Sequence, residues 1–121
     1  MDTLKLILKR NWFEMIKSGD KKEEYREITP YYLNRLLVQV DGKKINEEYV
    51  SNPILLDQLK KDLASNNPKK FKCKFDAVTF YLGYAPNRPS MTKKIESITI
   101  NTGSSNWGAV PNKEYFVIKL Q

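Results

Sequence analysis

Asn11-Trp-Phe-Glu-Met-Ile-Lys-Ser-Gly-Asp-Lys-Lys-Glu-Glu-Tyr-Arg-Glu27 reads as a short helix, a stop at Gly19 and a strand crowded with charge. Asn11 stands where a helix cap belongs, with Glu14 at the capping-box spacing. Trp12, Met15 and Ile16 fall at i, i+3 and i+4 and make one apolar face. Gly19 follows Lys17 and Ser18, and a glycine there enters the left-handed conformation without a Cβ penalty. The strand is expected from Lys22 to Ile28. Its alternation puts Lys22, Glu24 and Arg26 on one face and Glu23, Tyr25 and Glu27 on the other. Lys21 falls in the turn, where the alternation does not fix its direction.

Two readings fit this charge. In one, the strand is a solvated, ion-paired edge, since edge strands carry charge that blocks aggregation. Exposed ion pairs contribute little, about 0–1 kcal/mol each. In the other, Lys21, Glu24 and Arg26 converge beside a cleft. A lysine near a carboxylate and an arginine binds an anion or moves a proton.

The flanking sequence supplies a sheet and a few helices. Leu4 to Lys9 reads as a first strand with Leu4, Leu6 and Leu8 on one side. Thr29-Pro30 reads as an N-cap with proline at the first helical position. Tyr31, Tyr32, Leu33, Leu36 and Leu37 would then be the buried side of a helix ending near Leu37. Asp41-Gly42 suggests a hairpin joining Val38–Val40 to Lys44–Asn46. Asn52-Pro53 repeats the cap-then-proline signal, and Leu55, Leu56, Leu59 and Leu63 form an apolar stripe to about Ala64. Ser65 to Pro68 reads as a loop.

Lys70, Lys72 and Lys74 alternate with Phe71, Cys73 and Phe75, as in a strand with a basic face and a buried face. Asp76 to Tyr84 is a further strand, closed by Gly83. The Ala85-Pro-Asn-Arg-Pro-Ser90 loop holds Arg88 between prolines. Thr92 to Asn101 is another strand, and a long loop carrying Trp107 precedes Tyr115 to Leu120. That last run is nearly all apolar, as in a strand buried on both faces. The pattern gives about six strands and two or three helices in mixed order, an α+β domain with a curled sheet.

A chain of 121 residues, 40% apolar and 12% aromatic, fits one domain with a real core. No stretch approaches the roughly 18 consecutive apolar residues of a membrane span. The start, Met1-Asp-Thr-Leu-Lys, has no apolar signal region. The lone Cys73 excludes an internal disulfide and suits a reducing cytoplasm. It reads as a small buried hydrophobe. With no histidine and one cysteine, histidine triads and histidine or thiolate metal sites are excluded. A site without cofactor or metal is expected. The net charge of +7 is concentrated: residues 60–94 hold nine Lys/Arg against two acids, and the rest balances. Such a basic region favours phosphate backbones and also serves plain solubility.

Gly19-x-Lys21-x-x-Glu24-x-Arg26, after a strand and an aromatic-bearing helix, resembles the signature of the ASCH domain, a relative of the RNA-binding PUA domain. Thr29-Pro-Tyr-Tyr, Phe80-Tyr-Leu-Gly-Tyr84 and the ending from Trp107 to Leu120 are also similar to that family. Residues 38–74 look like a family-atypical insertion. The resemblance implies a small PUA-like β-barrel with a cleft between barrel and helices, lined by Lys21, Glu24, Arg26 and Arg88.

The first functional expectation is a basic cleft for single-stranded RNA or a nucleotide. Tyr25, Tyr84 or Trp107 would stack on bases, and Lys70, Lys72 and Lys74 would follow the phosphates. Glu24 would accept a hydrogen bond from an exocyclic amine, as acids do with cytosine. The second expectation is a small cofactor-independent hydrolase. Some ASCH relatives are amidohydrolases acting on acylated cytidine, with a catalytic lysine at the position of Lys21 and a threonine nucleophile where this chain has Glu24. Here Glu24 would activate water and Lys21 would stabilise the oxyanion. Other relatives cleave RNA, which would use Lys21 for phosphate charge and Tyr25 as proton donor. A third expectation is a protein-interaction or regulatory domain.

Overall fold

Alternating leucines start the sheet. Leu4, Leu6 and Leu8 are buried along strand β1 (Thr3–Leu8) of the computed structural model, which describes residues 3–65 and 68–121. Helix α1 (Arg10–Ser18) follows and stops at Gly19, whose φ of 89° is the left-handed value. Its start differs from the capping-box expectation. Lys9 is the N-cap, and Asn11 lies inside the first turn. The apolar face is rotated as well: Phe13 and Ile16 are buried, while Trp12 and Met15 stay half-exposed.

Strand β2 (Glu23–Arg26) is shorter than Lys22–Ile28, because Thr29 and Pro30 already turn the chain into helix α2 (Pro30–Leu36). Thr29 caps α2 by accepting from the Tyr32 N–H at 3.2 Å. Leu33, Leu36 and Leu37 are buried as expected, but Tyr31 points outward and is 64% exposed.

The Asp41-Gly42 turn forms, with the Gly42 N–H on the Gln39 carbonyl at 2.8 Å. The hairpin does not. Strand β3 (Leu37–Gln39) pairs antiparallel with the distant β4 (Phe71–Cys73). Lys43-Lys44-Ile45 has one apolar residue to bury, and Ile45 alone enters the core. A short helix α3 (Glu48–Ser51) leads into α4 (Pro53–Ala64). Asn52 caps α4 through hydrogen bonds from the N–H groups of Ile54 (2.9 Å) and Leu55 (3.2 Å). The Ser65–Pro68 loop includes residues 66 and 67, which lie outside the described residues. Beyond it, the Asp62 carboxylate accepts from the N–H groups of Lys69, Lys70 and Phe71 at 3.0–3.3 Å, fixing α4 to the start of β4.

Strands β5 (Ala77–Leu82), β6 (Ser90–Thr102) and β7 (Glu114–Leu120) complete a curled five-stranded half-barrel in the order β1-β5-β6-β7-β2. Only β1 and β5 run parallel. The described residues thus hold seven strands and four α-helices in an α+β arrangement, more of each than the sequence pattern suggested.

The inner face of the sheet carries Leu6, Phe80, Ile98, Ile100, Phe116 and Ile118. Against it pack Leu33 and Leu36 from α2, Leu59 and Leu63 from α4, and Phe71 from β4. Residues 38–74 therefore contribute to the main core. The outer face is wetter: Thr79 and Thr92 pair through their hydroxyls at 2.8 Å. At the β7–β2 end, Tyr25, Tyr115 and Val117 form a second cluster with Ala109 and Trp107 of the β6–β7 loop. Among the described residues, no helix is long and apolar enough to cross a membrane.

Replacing Asn52 by alanine is expected to lower stability by about 1 kcal/mol, the usual worth of a helix cap. Urea unfolding of both proteins measures this, and an unchanged midpoint would show that α4 does not need its cap.

Candidate functional site

An edge strand leaves half its backbone groups without a strand partner. β2 has one neighbour, β7, and the Leu120 N–H reaches the Lys22 carbonyl at 2.9 Å. By the alternation of an antiparallel ladder, Lys22, Glu24 and Arg26 turn their backbone toward β7, and Glu23 and Tyr25 turn theirs outward. The charged side chains of the same segment meet those outward groups. Lys21 Nζ donates to the Glu23 carbonyl at 2.7 Å. Glu24 Oε1 accepts from the Tyr25 N–H at 3.1 Å. Arg26 Nη1 donates to the Tyr25 carbonyl at 3.0 Å.

The three side chains also meet each other. Lys21 Nζ lies 3.5 Å from Glu24 Oε2, and Arg26 Nη1 lies 3.3 Å from Glu24 Oε1. Lys21 is the most enclosed, with a side chain 0% exposed. Its ammonium also donates to the Trp107 carbonyl at 3.1 Å. It sits 5.4 Å from the Trp12 ring centroid and 5.1 Å from that of Tyr25, within cation–π range. Burial pulls the Lys21 pKa below 10.5, while the Glu24 carboxylate beside it pushes the other way. Lys21 is thus a tie between β2, α1 and the β6–β7 loop.

The Tyr25 hydroxyl donates to Glu23 Oε1 at 2.8 Å and accepts from the Ser104 N–H at 2.9 Å. Burial pushes its pKa upward; the Ser104 contact opposes that and Glu23 adds to it. The loop closes tightly over this end. Gly108 has φ 99°, and a Cβ there would lie 2.9 Å from the Trp12 ring. The backbone passes so close to Trp12 that only glycine fits without a shift.

A cleft of about 410 Å³ opens at this point. Its walls are Ile7, Leu8 and Lys9 from the end of β1, Trp12 from α1, Trp107 and Val110 from the loop, and the β2 segment Glu24–Glu27. It lies where the two edges of the half-barrel, β1 and β2, face each other. Behind the cleft surface, two buried polar atoms of its lining residues lack a hydrogen bond: Arg26 Nε, a donor, and Glu24 Oε2, an acceptor that faces the Lys21 ammonium at 3.5 Å.

Of the residues singled out in the sequence, Glu24, Tyr25, Arg26 and Trp107 line this cleft. Lys21 stands behind it, fully enclosed. Arg88 does not line it; its guanidinium is stacked over the Tyr81 ring at 4.2 Å on the outer side of β5. The lysines of the β4 region are elsewhere too. Lys70 donates to the Tyr49 hydroxyl at 3.2 Å, Lys74 donates to the Asn34 carbonyl, and Lys72 is exposed. Tyr84, 80% exposed, borders a neighbouring hollow. Cys73 is half-buried, and burial raises its thiol pKa. Trp12 and Lys9 were not singled out as site residues. Helical spacing put Trp12 on the buried face with Met15 and Ile16, and the structure moves it to the margin of the Phe13–Ile16 stripe.

Comparison of the chain with protein-family models, with curated proteins and with solved structures finds no match in any of the three.

Removing Lys21 takes the cation from Glu24 Oε2, leaving only Arg26 on Oε1, and leaves the Glu23 and Trp107 carbonyls without their donor. Lys21→Met is expected to destabilise the fold by about 3–5 kcal/mol, and Lys21→Met combined with Glu24→Gln by less. A loss for the single variant below about 1 kcal/mol would place the pair among ordinary exposed ones. Tyr25→Phe gives a pH-dependent test. Above 10.0 the unfolded chain ionises Tyr25 while the folded chain keeps it protonated. The folded state then holds more protons, so this contribution is complete below pH 10.0 and is lost as pH rises through the raised value. Near neutrality the variant is expected to be less stable by about 1–3 kcal/mol, because the Ser104 N–H loses its acceptor. Denaturant titrations should show that gap narrowing in alkali, and a constant gap would contradict a Tyr25 held protonated by the fold.

Proposed function

We propose that this chain is an ASCH-type, PUA-like domain of the cytoplasm that binds single-stranded RNA or a nucleotide, one base entering the cleft beside β2. The observation that carries this is the Glu24–Arg26 pair between two tryptophans. Arg26 Nε is a buried donor without a hydrogen-bond partner, and the neighbouring Glu24 Oε2, also buried, is faced by the Lys21 ammonium at 3.5 Å. A buried polar group without a partner costs about 1–3 kcal/mol, which a complementary ligand offsets. A base edge that offers a donor beside an acceptor, as cytosine does, matches that pair. Trp12 and Trp107 line the cleft, and an aromatic ring stacked on a base is worth about 1–3 kcal/mol. A volume of about 410 Å³ is within the range of small-ligand sites. Lys9 lies on the rim, and the net charge of +7 adds attraction for phosphate.

Hydrolysis of a modified nucleoside or of RNA rests on the same cluster and is less well supported. The Lys21 ammonium donates to two carbonyls and faces Glu24, with no exposed side-chain surface to offer a substrate. The position that carries the threonine nucleophile in the amidohydrolases holds Glu24. Tyr25 keeps its proton more firmly than a free tyrosine, which suits a structural hydroxyl better than a proton donor.

Fluorescence anisotropy with a short cytosine-containing single-stranded RNA tests the proposal. Binding is expected at low salt, falling steeply between about 50 and 200 mM. Arg26→Gln is expected to weaken it about tenfold, the effect of one lost charge-assisted contact. No binding at low salt would remove RNA from consideration.

A further inference from the structure

A second hollow adjoins the cleft. It has a volume of about 420 Å³ and is lined by Ile7, Leu8, Lys9, Arg10, Leu82, Gly83 and Tyr84. Ile7, Leu8 and Lys9 belong to both hollows, so one ridge of β1 and its exit separates them. The second hollow is apolar, and two large side chains lie open in it: Tyr84 is 80% exposed and Ile7 is 37% exposed. A tyrosine ring left so far out of the core contributes little to stability, while its face is free to stack.

The ridge is cationic. Lys9 is exposed, and the Arg10 side chain is 76% exposed, with one acidic neighbour, Glu14, at 3.9 Å. Lys9 is also the N-cap of α1, its side chain caps nothing, and the first turn contains no acidic residue. The N–H groups of that turn therefore add to the positive field of the two side chains.

We infer that the ligand is a single-stranded oligonucleotide of at least two residues. One base fills the cleft, the next stacks on Tyr84, and the phosphate between them lies on the Lys9–Arg10 ridge. This rests on the proposed base-binding role of the cleft and extends it. Two ring-faced hollows separated by cations repeat the alternation of base and phosphate along a strand, and a stacking shelf with a basic ridge is the usual construction for single-stranded nucleic acid. A free nucleoside would leave the shelf and the ridge unused.

The test compares cytidine monophosphate with oligocytidylate of a few nucleotides, by calorimetry, for the whole chain and for Tyr84→Ala, Lys9→Gln and Arg26→Gln. The oligonucleotide is expected to bind about tenfold to a hundredfold tighter than the mononucleotide, the range of one added stack. Tyr84→Ala should erase most of that advantage, and Lys9→Gln should reduce it and lower the salt slope. Arg26→Gln should weaken both ligands together. Equal affinity for the two ligands, or an advantage that survives Tyr84→Ala, would overturn the second subsite while the Arg26 result still upholds the cleft. Absence of binding by either ligand would overturn the cleft and the shelf at once. Tyr84 is too exposed for its loss to unfold the chain, and circular dichroism of the variant checks this.

Discussion

A strand at the margin of a sheet must satisfy its outward backbone groups or invite another strand to do so. β2 solves this within its own sequence. Lys21, Glu24 and Arg26 each bond an outward carbonyl or N–H of Glu23 or Tyr25. The half-barrel can then stay open between β2 and β1 without offering a free edge there. The cleft exists because that opening is held by side chains and not closed by a further pair of strands. Lys21 extends the same arrangement outward, since its bond to the Trp107 carbonyl anchors the loop that forms one wall.

The two readings of the charged strand turn out to be compatible. Its charge does serve the edge, but as buried hydrogen bonds to the backbone in place of solvated ion pairs. The same three residues do converge beside a cleft. Lys21 is absorbed entirely by the structural task. Glu24 and Arg26 meet the backbone with one atom each; Glu24 turns Oε2 to the Lys21 ammonium, and Arg26 Nε has no hydrogen-bond partner. That division leaves Lys21 a structural tie and places Glu24 and Arg26 on the wall of the cleft.

Features set by local chemistry were legible in the sequence. Thr29-Pro30 and Asn52-Pro53 both start helices, Gly19 ends one, and the alternation of Leu4, Leu6 and Leu8 fixes the buried face of β1. Features set by distant contacts were not. Nothing within Val38–Asn46 signals that β3 finds its partner at Phe71–Cys73, and a turn dipeptide beside a weak second arm suggests a hairpin that does not form. The direction of Lys21 was equally hidden, because a residue in a turn has no alternation to follow and one of its partners, the Trp107 carbonyl, lies far along the chain. Trp12 reads as core from helical spacing. Only the approach of Gly108 from the far end of the chain shows it to be a wall of the cleft.

The pairing order has a consequence for how this chain acquires its shape during synthesis. β1 and β2 are made first, yet each has a single partner, β5 and β7, from the later part of the chain. Neither early strand can dock until its partner, β5 or β7, has left the ribosome. High sequence separation of this kind slows folding. A nascent chain halted before Glu114 would carry β2 with its ladder unmade and its charged residues in water, so assembly of the cleft waits for the final strand.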